Sequence, residues 1–334
     1  MSFLEQQKPF EQIERDWLEQ VYTKSNSINS KRVAETSLRT FVDFLKLDYP
    51  SQTKEMVVND LKKVWSNPQT YTRLYQFLNF YVQHLSKTGT SPKASRIYFS
   101  FIKSNLIYHG IRIHQEEIKQ FVRFPKIAKE RRSPISKDHI RLLLEHCNTK
   151  FQGLIFTALS SGMRIGEIAQ LRVMDVDLSK NPIEIRVRAA TTKTMEERYT
   201  FCSRQAGDII HKLIMDKMPT DYIFYEYDPA ITVRWIESAF HGIRKRAALL
   251  EKYENGRYRV NLHALRAFFI TIATKIQDEN YSHALAGHHK YMDQYYRMTT
   301  QESGQMYLKV EPELIIDLKN YDTIIESKQI LSTV

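Results

Sequence analysis

Between Val260 and Met298 the chain reads VNLHALRAFFITIATKIQDENYSHALAGHHKYMDQYYRM, which gathers His263, Arg266, His288 and the pair Tyr295-Tyr296 within one short stretch. A phenol is a nucleophile. An imidazole can shuttle its proton, and a guanidinium with a second imidazole can hold the oxygens of a phosphoryl group. Together these are the groups needed to attack a phosphodiester without a metal. Whether they serve that end depends on what the rest of the chain supplies and on the elements that position it.

The chain has 334 residues, which suggests about two domains, and its hydrophobic fraction of 42% is enough to give each a core. Lys+Arg 49 against Asp+Glu 38 leaves a net charge of +11, which points to a polyanionic partner; a soluble protein that is merely basic is the alternative. Two cysteines, Cys147 and Cys202, exclude a disulfide framework and a cysteine-based zinc site. No apolar run is long enough to span a bilayer and no leader pattern opens the chain, so a reducing intracellular compartment is expected.

From Glu11 to Ile113 the pattern is helical. Leu74, Phe77, Leu78, Tyr81, Val82 and Leu85 form one apolar stripe. Ser91-Pro92 predicts a capped helix that turns Ile97, Tyr98, Phe101 and Ile102 inward and shows Lys93, Arg96 and Lys103 on its other face. Those cations are candidate DNA-phosphate contacts, a solvated face being the alternative. This region, residues 1–122, reads as a small helical bundle. Two prolines and a run of cations then mark residues 123–135 as an extended basic linker.

Ser136 caps the first helix of the second domain, which carries Ile140, Leu142, Leu143 and Leu144. An apolar helical stretch over 154–159 breaks at Ser160-Ser161-Gly162, so Arg164 falls in the first turn that follows, with Glu167 placed to pair with it or cap the helix. Alternation over 183–188 and again over 198–202 predicts a β-hairpin, with room for a third short strand before it and Lys193 at its tip. Helices resume over 204–217 and 232–250; the second carries Arg234, Arg244, Lys245 and Arg246, expected to lie against DNA. There is no phosphate-binding glycine loop, dinucleotide turn or internal repeat.

In order, Arg164, Lys193, His263-x-x-Arg266, Gly287-His288 and then tyrosine resemble the tyrosine site-specific recombinases, the phage-integrase and Xer-like family. Ser161-Gly162-Met163-Arg164-Ile165-Gly166-Glu167-Ile168 is similar to that family's first arginine box, Thr192-Lys193-Thr194 to its hairpin lysine, His263-Ala264-Leu265-Arg266 to its His-x-Leu-Arg box, and Leu285-Ala286-Gly287-His288 to its Leu-Gly-His box. The likeness covers about residues 135 to 300 by motif and the N-terminal half by architecture. Arg266 is followed by Ala267-Phe268, where many members carry another histidine, and the gap from His288 to the tyrosines is one or two residues shorter than usual. Tyr295, with Arg297 in the following basic slot, fits the nucleophile register best; Tyr296 is the alternative and Tyr291 a weaker one.

The resemblance implies a mainly α fold with a small antiparallel sheet, a core-binding domain over 1–122 and a catalytic domain over 136–300. The implied enzyme is a DNA strand transferase making a 3′-phosphotyrosyl link without ATP, metal or other cofactor. Arg164 and Arg266 clamp the phosphoryl oxygens, Lys193 protonates the departing 5′ oxygen, His263 accepts a proton or binds phosphate, and His288 donates a hydrogen bond. The implied partner is double-stranded DNA, bound as a tetramer on two sites by a protein that is monomeric or dimeric when free. The setting is the cytoplasm and its nucleoid, or a virus or mobile element. A metal site built from His263, His283, His288 and His289, a type IB topoisomerase and an inactive DNA-binding accessory protein are the competing readings. The tail, 301–334, carries Leu314, Ile315, Ile316 and Leu318 as an apolar helical patch that folds onto its own domain or docks on a neighbouring protomer.

Overall fold

The computed structural model describes residues 8–127, 130, 132–192, 194–287 and 298–317, and the chain divides into two compact units, Met1–Lys129 and Glu130–Val334. The first unit is built from α1 (Phe10–Ser25), α2 (Ile28–Asp48), α3 (Lys54–Ser66), α4 (Thr72–Lys87), α5 (Pro92–Tyr108) and α6 (Gln115–Phe121). Local chemistry starts three of them: the side chains of Ser27, Thr53 and Ser91 accept from the backbone N–H three residues on, and Pro92 occupies the first turn of α5. The stripe on α4 is buried at Leu74, Leu78, Tyr81, Val82 and Leu85, where Phe41 and Phe44 of α2 meet Tyr81 ring to ring.

On α5 the phase differs from expectation. Phe99, Ile102 and Leu106 face the core, while Ile97 is 39% exposed. Ser95, Phe99, Ile102 and Leu106 follow the i, i+4, i+7, i+11 spacing of one helix face, and Ile97 falls outside it. Beside them, Glu14 of α1 accepts from His109 at 2.5 Å and Asn105 at 3.0 Å and pairs with Lys54. Burial would raise the Glu14 carboxyl, but His109 and Lys54 outweigh it and hold it at about 2.

The second unit comprises α7 (Lys137–Glu145), α8 (Thr149–Ser161), α9 (Ile165–Ile168), β1 (Val176–Asp177), β2 (Ile183–Val187), β3 (Arg198–Cys202), α10 (Arg204–Ile214), α11 (Pro229–Arg246), α12 (Leu262–Ile276), α13 (Glu279–Ala286) and α14 (Thr300–Leu314). Helix α8 is buried on every side from Phe151 to Ser161, as an all-round apolar helix must be, with α10, α12, α14 and β3 packed about it. The strands form one antiparallel sheet in the order β1-β2-β3, with Ile183 opposite Cys202 and Val187 opposite Arg198. The architecture is the mainly helical one with a small sheet, third strand included.

Two boundaries move. At one end of the basic 123–135 stretch, the Arg123 N–H donates to Asn79 at 2.8 Å and Phe124 packs edge-on to Phe99, so these residues belong to the first unit. At the other end Ile135 is buried in the second core. The described part of the tail is an integral element of its own unit: Tyr307, Val310, Leu314 and Ile316 are buried in the core that holds α8. Leu318 lies outside the described residues.

Candidate active site

Helix α8 ends at Gly162, whose φ of +64° is the left-handed cap that glycine adopts without strain. A Cβ there would fall 2.3 Å from Phe269 Cδ1, so space and dihedral both demand glycine. The carbonyls left open at this end find side chains from three other elements: Ser160 O accepts from Tyr307 of α14 at 2.8 Å, Ser161 O from Thr200 of β3 at 2.9 Å, and Gly162 O from Arg266 Nη1 of α12 at 2.6 Å. The helix end thereby fixes Arg266 from behind.

Asn261 caps α12 by accepting from the Ala264 N–H, which sets His263 and Arg266 one turn apart on the same face. Arg266 is 3% exposed, and its buried Nη2 has no hydrogen-bond partner in the described protein. Burial first, then the charge of Arg164, lowers this guanidinium from its ordinary value to about 10. His263 also sits below its ordinary value, through burial, then Arg266, Arg132 and Arg164, so near neutral pH the ring is uncharged and free to accept a proton. It lines a cleft of about 440 Å³ with Arg132, Arg257, Arg259 and Ala267.

Arg164 occupies the N-cap of α9. Its backbone N–H and its Nη1 both donate to Glu167, each at 2.9 Å, and its Nη2 donates to Gly287 O at 2.8 Å. Glu167 thus both caps the helix and pairs with Arg164, the two roles expected of it. Burial favours its neutral form, but Arg198, then Arg164, prevail and lower it, so it stays ionised. Arg198 was not among the expected site residues. Its Nη2 and Nη1 reach Glu167 at 2.6 and 3.3 Å, and its Nε donates to Leu285 O at 2.9 Å. An arginine opening the alternating 198–202 stretch was the available signal, although its partner lies 31 residues away.

The structure therefore brings together Arg164, His263 and Arg266. Lys193, His288, Tyr291, Tyr295 and Tyr296 lie outside the described residues, as does His289. What frames Lys193 is described: Thr192 is buried and accepts from the Glu196 N–H at 3.1 Å, and Arg186 of β2 meets Glu197 at 2.7 Å across the hairpin. His283 pairs with Glu279. Among the described residues no group of three His, Cys, Asp or Glu side chains is placed to share a metal ion.

Of the expected DNA-facing cations, Lys93, Arg96, Arg234, Lys245 and Arg246 are exposed and Lys103 is half-buried. Arg96 stacks over Phe124 at 4.7 Å, and Arg246 donates to His146 O at 3.0 Å. Arg244 departs from the expectation: it is 6% exposed, stacks on Tyr258 at 3.5 Å and donates to Val260 O at 3.2 Å. Tyr258 comes from the following loop, which covers this side of α11. No helix among the described residues is long and apolar enough to cross a membrane.

Comparison with known proteins agrees with this geometry. Over 106 residues the chain is 30% identical to tyrosine recombinase XerA of Saccharolobus solfataricus, covering 31% of this chain and 35% of XerA. Over 218 residues it is 22% identical to transposase A from transposon Tn554 of Staphylococcus aureus, covering 64% of this chain and 55% of the transposase. It thus spans about a third and about half of these two relatives. In fold it is similar to a lambda integrase tetramer bound to a Holliday junction, with TM-score 0.55 and 11% identity over 86% of this chain and 79% of that one. The XerH site-specific recombinase bound to difH substrate gives TM-score 0.52 and 14% identity over 91% and 83%. The model of the phage integrase family matches residues 133–300, which contain the helix end, both arginines and the hairpin just described. A match over half the chain, centred on the elements that build the site, shows that this protein belongs to the phage integrase family of tyrosine recombinases.

Proposed function

We propose that this protein is a site-specific DNA recombinase that breaks and rejoins duplex DNA through a 3′-phosphotyrosyl intermediate. The observation that carries the reading is Arg266, a buried guanidinium with an unpartnered Nη2, whose charge is disfavoured by burial and by the nearby Arg164. Only one carboxylate, Glu167, stands against Arg164, Arg198 and Arg266 in the described site, and it bonds the first two. A phosphodiester supplies the missing anion and the missing acceptor.

In this reading the phenol of Tyr295, with Tyr296 as the alternative, attacks phosphorus. The bond to the 5′ oxygen breaks as the new phosphotyrosyl bond forms. The neutral His263 accepts the phenolic proton, Lys193 gives a proton to the leaving oxygen, and Arg164, Arg266 and His288 hold the phosphoryl oxygens as charge builds. Attack by the freed 5′-hydroxyl of a second strand reverses the chemistry, and phosphodiester energy is conserved throughout. Lys93, Arg96 and Lys103 of α5, and Arg234, Lys245 and Arg246 of α11, supply phosphate contacts. The DNA-bound relatives support duplex DNA as partner, and the lambda integrase tetramer supports four protomers on two sites. The transposon-borne relative supports a mobile-element setting.

The test is covalent trapping on a nicked suicide duplex. The wild-type chain should form an adduct that one of Tyr295→Phe and Tyr296→Phe abolishes and the other does not. A chain that binds the duplex yet never forms an adduct refutes the reading. Relaxation of supercoils with no joined product from paired sites would make the enzyme a topoisomerase instead.

A further inference from the structure

We propose that Arg198, outside the expected catalytic set, is a positioning residue: it locks the backbone of Leu285–Gly287 to Glu167 and so fixes both Arg164 and the point from which the chain continues into His288. The proposal rests on the recombinase reading and adds to it the part of the site that holds the clamp in register.

Hydrogen bonds form a closed circuit here. Glu167 receives Arg164 on one side and Arg198 on the other; Arg164 Nη2 continues to Gly287 O, and Arg198 Nε continues to Leu285 O. Two residues of α13 and its cap are therefore held by two arginines that share one carboxylate. With an Arg198 side chain 13% exposed and a Glu167 side chain 2% exposed, the Arg198–Glu167 part of the circuit is shielded from water, where such charge-assisted bonds hold geometry most firmly.

Arg198 differs from Arg266 in how its donors are used. Nε, Nη1 and Nη2 of Arg198 all have protein acceptors, so its role is internal, whereas Arg266 keeps an open Nη2. The flat guanidinium also explains the glycine beside it. Gly287 has φ +70°, and a Cβ on it would lie 2.8 Å from Arg198 Cζ, inside van der Waals contact. A lysine at 198 keeps one charge for Glu167 but has no fork with which to reach Leu285 O at the same time.

The test uses the full chain and compares Arg198→Lys, Arg198→Ala, Gly287→Ala and the double variant Arg198→Ala/Gly287→Ala. Melting temperature, duplex affinity, single-turnover adduct formation and amide exchange of the peptide over 280–287 are measured for each. For Arg198→Lys, adduct formation should fall by about 10- to 100-fold, as displacement of a reacting group by a fraction of an ångström does. Affinity should stay within about two-fold, while exchange at 285–287 accelerates. The double variant should lose less than the product of its single losses, because removing the guanidinium makes room for the new methyl. Wild-type adduct formation and wild-type exchange in Arg198→Lys overturn the proposal, as does a rate loss accompanied by an equal loss of melting temperature and affinity. A wild-type chain that forms no adduct defeats the recombinase reading alone, and exchange at 285–287 then decides the role of Arg198.

Discussion

Replacing Arg266 by methionine should make the DNA-free protein more stable while disabling it. At neutral pH the guanidinium is charged in the unfolded chain and stays charged in the folded one, where burial and Arg164 lower it by more than two pH units, to about 10. Each ten-fold change in proton affinity is worth about 1.4 kcal/mol, so keeping this charge inside costs roughly 3 kcal/mol below pH 10, and the cost disappears as pH rises above that value. Methionine fills similar space without charge but leaves the buried Gly162 O without its donor, a loss of about 1–3 kcal/mol. The net gain of up to about 2 kcal/mol corresponds to a melting temperature higher by as much as roughly 8 °C for a unit of this size. Thermal unfolding of both proteins at pH 7.5, with and without cognate duplex, is the assay. Duplex should raise the wild-type melting temperature and move the variant less, and adduct formation should fall by about 10²- to 10³-fold, as when an oxyanion donor is lost. A variant that melts below wild type would mean that Arg266 is a satisfied structural residue, and the argument for an open anion site would fail.

Because His263 is lowered from 6.5, the acid limb of adduct formation should have its midpoint below pH 6.5. The same sign applies to stability: the unfolded imidazole takes its proton first, so the His263 contribution is full above pH 6.5 and declines as pH drops through the lowered value. A limb centred above pH 7 counts against His263 as the acceptor. On α11, Arg234→Ala and Lys245→Ala should each reduce the salt slope of DNA binding by about one without changing melting temperature. Arg244→Ala should instead lower stability by about 2 kcal/mol through loss of its stack on Tyr258 and its bond to Val260 O, which denaturant titration will show.

What could be read from the sequence followed the range of the interactions. Ser91 and Ser136 were legible as caps because the group each satisfies lies three residues away, and the hairpin because alternation is a period of two. The arginine and histidine boxes were legible because each is local. Arg244 and Arg234, ten positions apart on one helix, look alike as residue types; only Tyr258, from beyond the helix end, makes one of them internal. Ile97 and Phe99 lie on nearly opposite sides of the helix, and the partner that selects Phe99, Phe124, comes from a segment that reads as linker. Arg198 escaped notice because its partners Glu167 and Leu285 lie 31 and 87 residues away. The segment after 300 looked separable because its apolar residues carry no sign of which surface they cover.

The three side chains that engage the end of α8 also set an order of events during synthesis. Ser161 meets Thr200 across 39 residues of chain, Gly162 meets Arg266 across 104, and Ser160 meets Tyr307 across 147. At about 5–20 residues per second, roughly 7–30 s pass between translation of Ser160 and of Tyr307. Until then one of the three carbonyls at the helix end that backs Arg266 lacks its side-chain donor. Completion of the helix end that backs Arg266 therefore waits on α14, the last element of the unit among the described residues.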